Sequence, residues 1–214
     1  MSDSTSSQRI GIVGAGHIGG TLAQLFSAAG HEIALANSRG PETLEATIAG
    51  LGPRARAATV ADALRFGGVA VVSIPLGRID ELPADGVGGT IVIDTNNYYP
   101  QRDGQIAELD ADAISSSGLL QRHLPDARVV KAFNAIYWEN LRDRGRAAGD
   151  PERLAIPISG DDADAKQLVA RLIDEIGFDA VDAGTLEEGG RKHQPDTPPY
   201  GARVGAEELR GMLG

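Results

Sequence analysis

An α/β fold, with a Rossmann-type, doubly wound, mostly parallel sheet and a C-terminal α/β extension, follows from three observations. Short apolar runs lacking a polar period of two alternate with amphipathic segments, the pattern of a parallel sheet covered on both faces. A glycine-rich turn, GAGHIG, joins the first apolar run to the first amphipathic segment. The 214 residues, 42% apolar and including 28 glycines, suffice for one such core.

Taken in order, Arg9 to Val13 (RIGIV) is a strand that stops at glycine, and Ile18, Leu22, Leu25 and Phe26 keep helical spacing up to Gly30. Glu32 to Ala36 (EIALA) is the second strand, and Pro41 suits the first turn of a helix with Leu44, Ile48 and Leu51 on one face. Val69 to Ile74 and Thr90 to Asp94 are buried-strand candidates. A long polar connection, Asn96 to Gly104, leads to a helix around Ile114 to Leu124, a strand at Arg128 to Ala132 and a helix from about Ala135. Leu154 to Ser159 precedes a helix with an apolar stripe of Leu168, Val169, Leu172, Ile173 and Ile176, stopped by Gly177. Phe178 to Asp182 is a last strand, GGRKHQPDTPPYG is an irregular tail, and Ala206 to Leu213 is a short closing helix. Neither repeats nor low-complexity tracts interrupt this order.

Composition narrows the function classes. A formal charge of -10 and a pI near 4.8 argue against nucleic acid, whose phosphates are held by clustered Lys and Arg. With no cysteine, disulfides and thiolate chemistry drop out. The opening MSDSTSSQ lacks a signal pattern and no apolar run reaches the length of a membrane span, so a cytoplasmic protein without membrane partners is expected. No metal is expected, since His and carboxylates do not cluster at ligand spacing and Asp161 to Asp164 reads as acid at a helix N-terminus.

The strongest chemical signal is the turn. Gly14, Gly16 and Gly19 form G-x-G-x-x-G directly after a strand and before a helix, where glycines permit the tight turn, the approach of a pyrophosphate and close helix packing. Free N–H groups at the helix start then face the anion. His17, between the second and third glycines, would lie beside the cofactor as a solvated turn residue. At the end of the second strand, where an acid commonly binds a ribose hydroxyl, the sequence has Asn37, Ser38 and Arg39. Two like charges about 4 Å apart cost on the order of 4 kcal/mol at an effective dielectric near 20, so a missing acid admits a 2′-phosphate. Ser38 and Arg39 can bind one, and NADP(H) is expected over NAD(H). The chain thus divides into a disordered leader (1–8), a dinucleotide-binding region (9–148) and an extension with its tail in the same compact unit (149–214).

These stretches, with the VVSIP strand end and SGDDADAKQLVARLIDEIGFDAVDAG, resemble the reductases that pass hydride between NADP and the deazaflavin coenzyme F420, and their wider group, from about Arg9 to Leu186. The resemblance implies that the backbone of Ala15 to Ile18 holds the pyrophosphate, that Ser38 and Arg39 hold the 2′-phosphate, and that Ile74 and Pro75 pass near the nicotinamide. It also implies direct hydride transfer to F420 or a flavin-like ring with no obligatory side-chain acid or base, and a homodimer. The connection DTNNYYPQRDG and the Gly/Pro-rich tail after Glu188 depart from that pattern, both on the second-substrate side.

On that side, the strand ends at Ser73 to Pro75, Thr95 to Asn97 and Phe133 to Ala135 are the expected contacts. Asn96, Asn134 and Ala135 join Ser73, Ile74 and Pro75 as candidate cofactor contacts, the asparagines being equally plausible as turn residues. Tyr98, Tyr99, Tyr137 and Trp138 offer surfaces for a planar substrate or for packing. An NADPH-dependent reductase of a small carbonyl or imine would need a proton donor as well, for which Tyr98, Tyr99, Lys131 and His193 have suitable chemistry. Lys131, within a strand, reads as a salt-bridge or edge residue, and His31 and His123 read as structural. A non-catalytic NADP(H) sensor is a third reading.

Overall fold

The computed structural model describes residues 7–214, in which eight strands make one sheet. In chain order these are β1 (Arg9–Val13), β2 (Glu32–Ala36), β3 (Ala55–Ala57), β4 (Val69–Val72), β5 (Ile91–Asp94), β6 (Arg128–Lys131), β7 (Ala155–Gly160) and β8 (Asp179–Asp182). Their spatial order is β3-β2-β1-β4-β5-β6-β7-β8. Neighbours run parallel except β6 and β7, which pair antiparallel through Val130 with Gly160 and Lys131 with Ser159. The chain reverses its winding between β1 and β4, and a crevice opens there beyond the strand carboxyl ends.

The two faces differ in side-chain size, and the sequence dictates the difference. Ile10, Ile12, Ile33, Leu35, Val71 and Ile93 alternate onto the face covered by α1 (His17–Ala28) and α8 (Ala163–Glu175). Burying each such side chain stabilises the fold by about 1.5–3 kcal/mol, so this face carries most of the apolar gain. The opposite face presents Gly11, Ala34, Ala36 and Ala70 to α3 (Val60–Leu64). A Cβ on Gly11 would collide with the Ala63 carbonyl, so this helix lies close because the face is flat.

The remaining helices are α2 (Glu45–Leu51), α4 (Pro100–Asp103), α5 (Ala107–Asp110), α6 (Ser116–His123), α7 (Trp138–Asp143), α9 (Glu188–Lys192) and α10 (Ala206–Leu213). Pro41 begins a 3-10 turn, Pro41–Leu44, that runs into α2. The helix expected from Ala135 starts three residues later, at Trp138, because Asn134 and Ala135 give their carbonyls to Asn97 Nδ2 and Gly201 N, and Phe133 is left-handed at φ 62°. β3 and α3 lie between Leu51 and Val69, where the sequence reading assigns no element, and α9 lies in the tail expected to be irregular. Their apolar patterns are too short to register, and tertiary packing forms them. Of the expected disordered leader, residues 1–6 lie outside the described residues. Ser7 Oγ donates to Gly30 O at 2.9 Å and Gln8 N to His31 Nδ1 at 3.0 Å, which ties the next two down. Among the described residues no helix is long and apolar enough to cross a membrane.

Candidate active site

At the crevice, Gly14, Ala15, Gly16, Asn37, Ser38, Arg39, Ser73, Ile74 and Pro75, which sequence spacing brought together, line one cavity of about 570 Å³. The three glycines divide the work. Gly14 sits at φ +108°, and a Cβ there would run into the Ser73 carbonyl. A Cβ on Gly19 would run into the Gly14 carbonyl, so this glycine seats α1 on β1. A Cβ on Gly16 would meet nothing within 4 Å, which leaves the turn open where an anion would approach the helix start.

At the end of β2, Asn37 shapes the turn. Its Oδ1 accepts from Arg39 N at 2.9 Å and its Nδ2 donates to Thr43 Oγ1 at 2.8 Å, and Thr43 Oγ1 donates to Gly40 O at 2.7 Å. The amide is therefore engaged, and Ser38 and Arg39 are left exposed on the cavity. Among the described residues the Arg39 guanidinium has no hydrogen bond or ion pair. His17, exposed at the start of α1, is less free than a solvated turn residue: its ring stacks on Trp138 at 4.7 Å and 18°. Arg142 lies over the same indole at 4.7 Å, which joins α7 to the phosphate turn.

The far wall was not legible in the sequence. Thr59, Val60, Arg78, Glu81 and Leu82 line it, and Arg78 pairs with Glu81 at 2.6 and 2.8 Å. The hydrogen bond to Arg78 holds the Glu81 carboxyl below its ordinary range. Only that i,i+3 spacing hints at the pair, and nothing local says that the turn Leu76–Glu81 faces a cavity.

Beyond β5 and β6 the picture changes from open to closed. Asn96, Asn97, Asn134 and Ala135 are all buried. Asn134 donates to Asn97 Oδ1 at 3.0 Å and to His193 O at 2.8 Å, and its Oδ1 meets His193 Nδ1 at 2.8 Å. Every polar atom of the Asn134 amide, expected among cofactor contacts, is thus used within the protein, and the Ala135 carbonyl accepts from Gly201 N of the tail. His193 Nε2 lies 2.7 Å from Ser159 Oγ. Burial, and then the Lys131 ammonium, push His193 down to about 3, so the ring is neutral, with Nδ1–H toward Asn134 and Nε2 accepting from Ser159. The Ser–His–Asn chain has the connectivity of a hydrolytic triad, yet serine and histidine are both fully buried and no substrate reaches them.

Lys131 corrects its expectation. It sits in the sheet interior between β5 and β7, not at an edge, and its Nζ bonds Asn96 O at 3.0 Å, Ser116 Oγ at 2.9 Å and Ser117 Oγ at 3.2 Å. Ser117 in turn donates to Asp94 Oδ2 at 2.5 Å, so the charge pair is bridged by a hydroxyl. Burial lowers the Lys131 pKa and the Asp94 charge counters it. Asn96 keeps one unsatisfied atom: its Oδ1 accepts from Ile74 N at 3.0 Å, while its buried Nδ2 has no partner. Tyr98 is engaged as well, donating to Asp110 Oδ1 at 2.7 Å and accepting from Ile106 N at 2.9 Å, and desolvation holds its pKa up. Tyr99 and Tyr200 share a hydrogen bond of 2.5 Å, and Tyr137, 51% exposed, packs edge-on to Tyr200. His31 and His123 bond Glu175 Oε2 and Leu82 O, as structural residues do.

The remaining acidic group serves α8. Asp162 caps the helix by accepting from Ala165 N at 2.8 Å, and Asp161 Oδ1 accepts from Leu186 N at 3.0 Å.

Comparison with known proteins follows this division. The model of the family described as NADP oxidoreductase, coenzyme F420-dependent, matches residues 9–98, which span β1 to the end of β5. A hypothetical protein from Sinorhizobium meliloti superposes with a TM-score of 0.79 at 30% identity, over 94% of this chain and 97% of that one. A candidate F420-dependent NADP reductase from Arthrobacter sp. FB24 gives 0.71 at 27% identity, over 84% and 86%. A reductive aminase from Aspergillus terreus in complex with NADPH gives 0.59 at 14% identity, a likeness of fold alone that covers 56% of that chain. A search of curated proteins gives no match. The family match over residues 9–98 and the two superpositions over most of the chain agree, and the chain is an NADP-dependent oxidoreductase similar over its first five strands to the F420-dependent family.

Proposed function

We propose that the protein transfers hydride directly between NADP(H) and a deazaflavin or flavin-like ring. The cofactor's 2′-phosphate is held by Ser38 and Arg39 and its pyrophosphate by the backbone of Gly14 to Gly19, over Ile74 and Pro75. The unpartnered Asn96 Nδ2, on the amide that binds Ile74 N, suits the nicotinamide carboxamide oxygen. NADP(H) supplies or takes up the hydride at its nicotinamide. This chain's residues orient it, and the buried strand ends keep water from the ring.

The observation that carries the choice of a ring as partner is the state of the proton donors. Lys131 and His193 are buried and Tyr98 is engaged, whereas transfer to a ring needs no side-chain acid. Tyr137 offers the second substrate an exposed flat face. Stopped-flow mixing of the NADPH-loaded protein with the deazaflavin should bleach the deazaflavin absorbance rapidly. No bleaching at any deazaflavin concentration removes this reading.

The hydroxyl pair Tyr99–Tyr200 favours one alternative, reduction of a small carbonyl or imine with a phenol as proton donor. That reading requires NADPH oxidation without a second cofactor, and its loss in Tyr99→Phe.

A further inference from the structure

Lys131 and Asn96 belong to one buried assembly in which three separate groups fix a single residue. Asn96 N donates to Asp94 Oδ1 at 2.9 Å, Asn96 O accepts from Lys131 Nζ at 3.0 Å, and Asn96 Oδ1 accepts from Ile74 N at 3.0 Å. The peptide and the amide plane are thus both set, and only Nδ2 is left without a partner. A buried amide N–H with no acceptor is a standing cost to the fold that a ligand oxygen would remove.

The rest of the assembly holds the ammonium. Ser116 and Ser117 take its other two protons, and Ser117 passes on to Asp94, which is fully buried. A buried ammonium needs all its donors satisfied, and Asn96 O supplies the one main-chain acceptor. The neutral amine or apolar side chain that would be cheaper to bury could not grip that carbonyl with the same charge-assisted bond.

We infer that Lys131 is a positioning residue for the nicotinamide half of the cofactor, acting through Asn96 and not by touching the ring. The inference rests on the reading of the cavity as an NADP(H) site and adds a division of labour within it. Ser38 and Arg39 set the affinity for the phosphorylated adenosine, whereas Lys131 sets how well Asn96 presents its free amide N–H to the carboxamide. Loss of Lys131 should therefore affect ligands that carry nicotinamide and spare those that lack it.

The experiment compares binding of NADP+ with binding of 2′-phospho-ADP-ribose, which is NADP+ without its nicotinamide, by calorimetric titration of the full chain. Asn96→Ala and Lys131→Met should each weaken NADP+ by roughly five- to tenfold, the worth of one well-placed hydrogen bond, and change 2′-phospho-ADP-ribose by less than about twofold. The double variant should bind NADP+ no more weakly than the worse single variant, since the two residues act as one unit. If Lys131→Met does not fold, the Ser116→Ala/Ser117→Ala variant, which loosens the ammonium without removing it, should give the same selective loss. Equal weakening of both ligands, unchanged NADP+ affinity, or losses that multiply in the double variant would each overturn the inference. Failure of the wild type to bind 2′-phospho-ADP-ribose would instead remove the cofactor reading, and the inference with it.

Discussion

The two halves of the crevice are built on opposite plans. At the ends of β1, β2 and β4 the cavity is open, lined by those three strand ends and by residues of two further segments, Thr59–Val60 and Arg78–Leu82, with Ser38 and Arg39 exposed. At the ends of β5 and β6 the strand ends are buried, and Asp94, Asn96, Asn97, Ser116, Ser117, Lys131, Asn134, Ser159 and His193 interlock. An open half suits a ligand that arrives from solvent with its charge exposed. The closed half suits the exclusion of water from a reacting ring. The difference teaches that the region open to a ligand and the region that seals the strand ends are built from separate sets of residues.

The largest effects should separate fold from binding within the open half. Gly14→Val places a branched side chain at φ +108° against the Ser73 carbonyl, so a loss of about 3 kcal/mol or more is expected in urea unfolding. Gly16→Ala meets no neighbour, so stability should stay within about 0.5 kcal/mol. Its methyl group instead occupies the anion's approach, and NADP+ affinity should fall at least about tenfold. If Gly16→Ala binds NADP+ like the wild type, the pyrophosphate does not lie on this turn.

Next in size is the charge at the β2 end. Arg39→Ala removes a guanidinium with no other partner among the described residues. NADP(H) should weaken roughly 10- to 100-fold, as expected for charge-assisted hydrogen bonds, and NAD(H) by less than about twofold. Equal losses for the two cofactors, read by titration, would make Arg39 an ordinary surface residue and end the 2′-phosphate assignment.

What could be read from sequence divides along the same line. Gly14, Gly16 and Gly19 fall within six residues, and Asn37, Ser38 and Arg39 are consecutive at the end of the next strand, so each group is a local pattern that spacing reveals. The strands of the sheet were legible for a related reason: an apolar run such as VAVV needs no knowledge of its neighbours to be recognised. Lys131 was read as an edge or salt-bridged residue because its acceptors, Asn96 O, Ser116 and Ser117, stand 14 to 35 positions away in sequence. Asn134 reads as either a ligand contact or a turn residue because His193, its partner from the tail, is 59 positions away. Tyr200 drew no notice in GGRKHQPDTPPYG, though it meets Tyr99 across 101 positions. Contacts closed by tertiary folding leave no local period or spacing to detect.

The smallest expected effect probes the closed half through pH. Burial, and the Lys131 ammonium beside it, hold His193 at about 3 in the folded protein, against 6.5 in the open chain. Above pH 6.5 the ring is neutral in both states and stability does not change on its account. As pH falls below 6.5 only the unfolded chain takes up the proton, so stability should drop by about 1.4 kcal/mol per pH unit until the folded ring titrates. Between pH 6.5 and pH 5 the loss is therefore about 2 kcal/mol. His193→Gln cannot titrate, so urea unfolding of this variant should lose about 2 kcal/mol less than the wild type over the same interval. Parallel losses in the two proteins would mean that His193 accepts a proton while folded. The neutral tautomer linking Ser159 to Asn134 would then be wrong, and the tail would not be sealed against water at the strand ends.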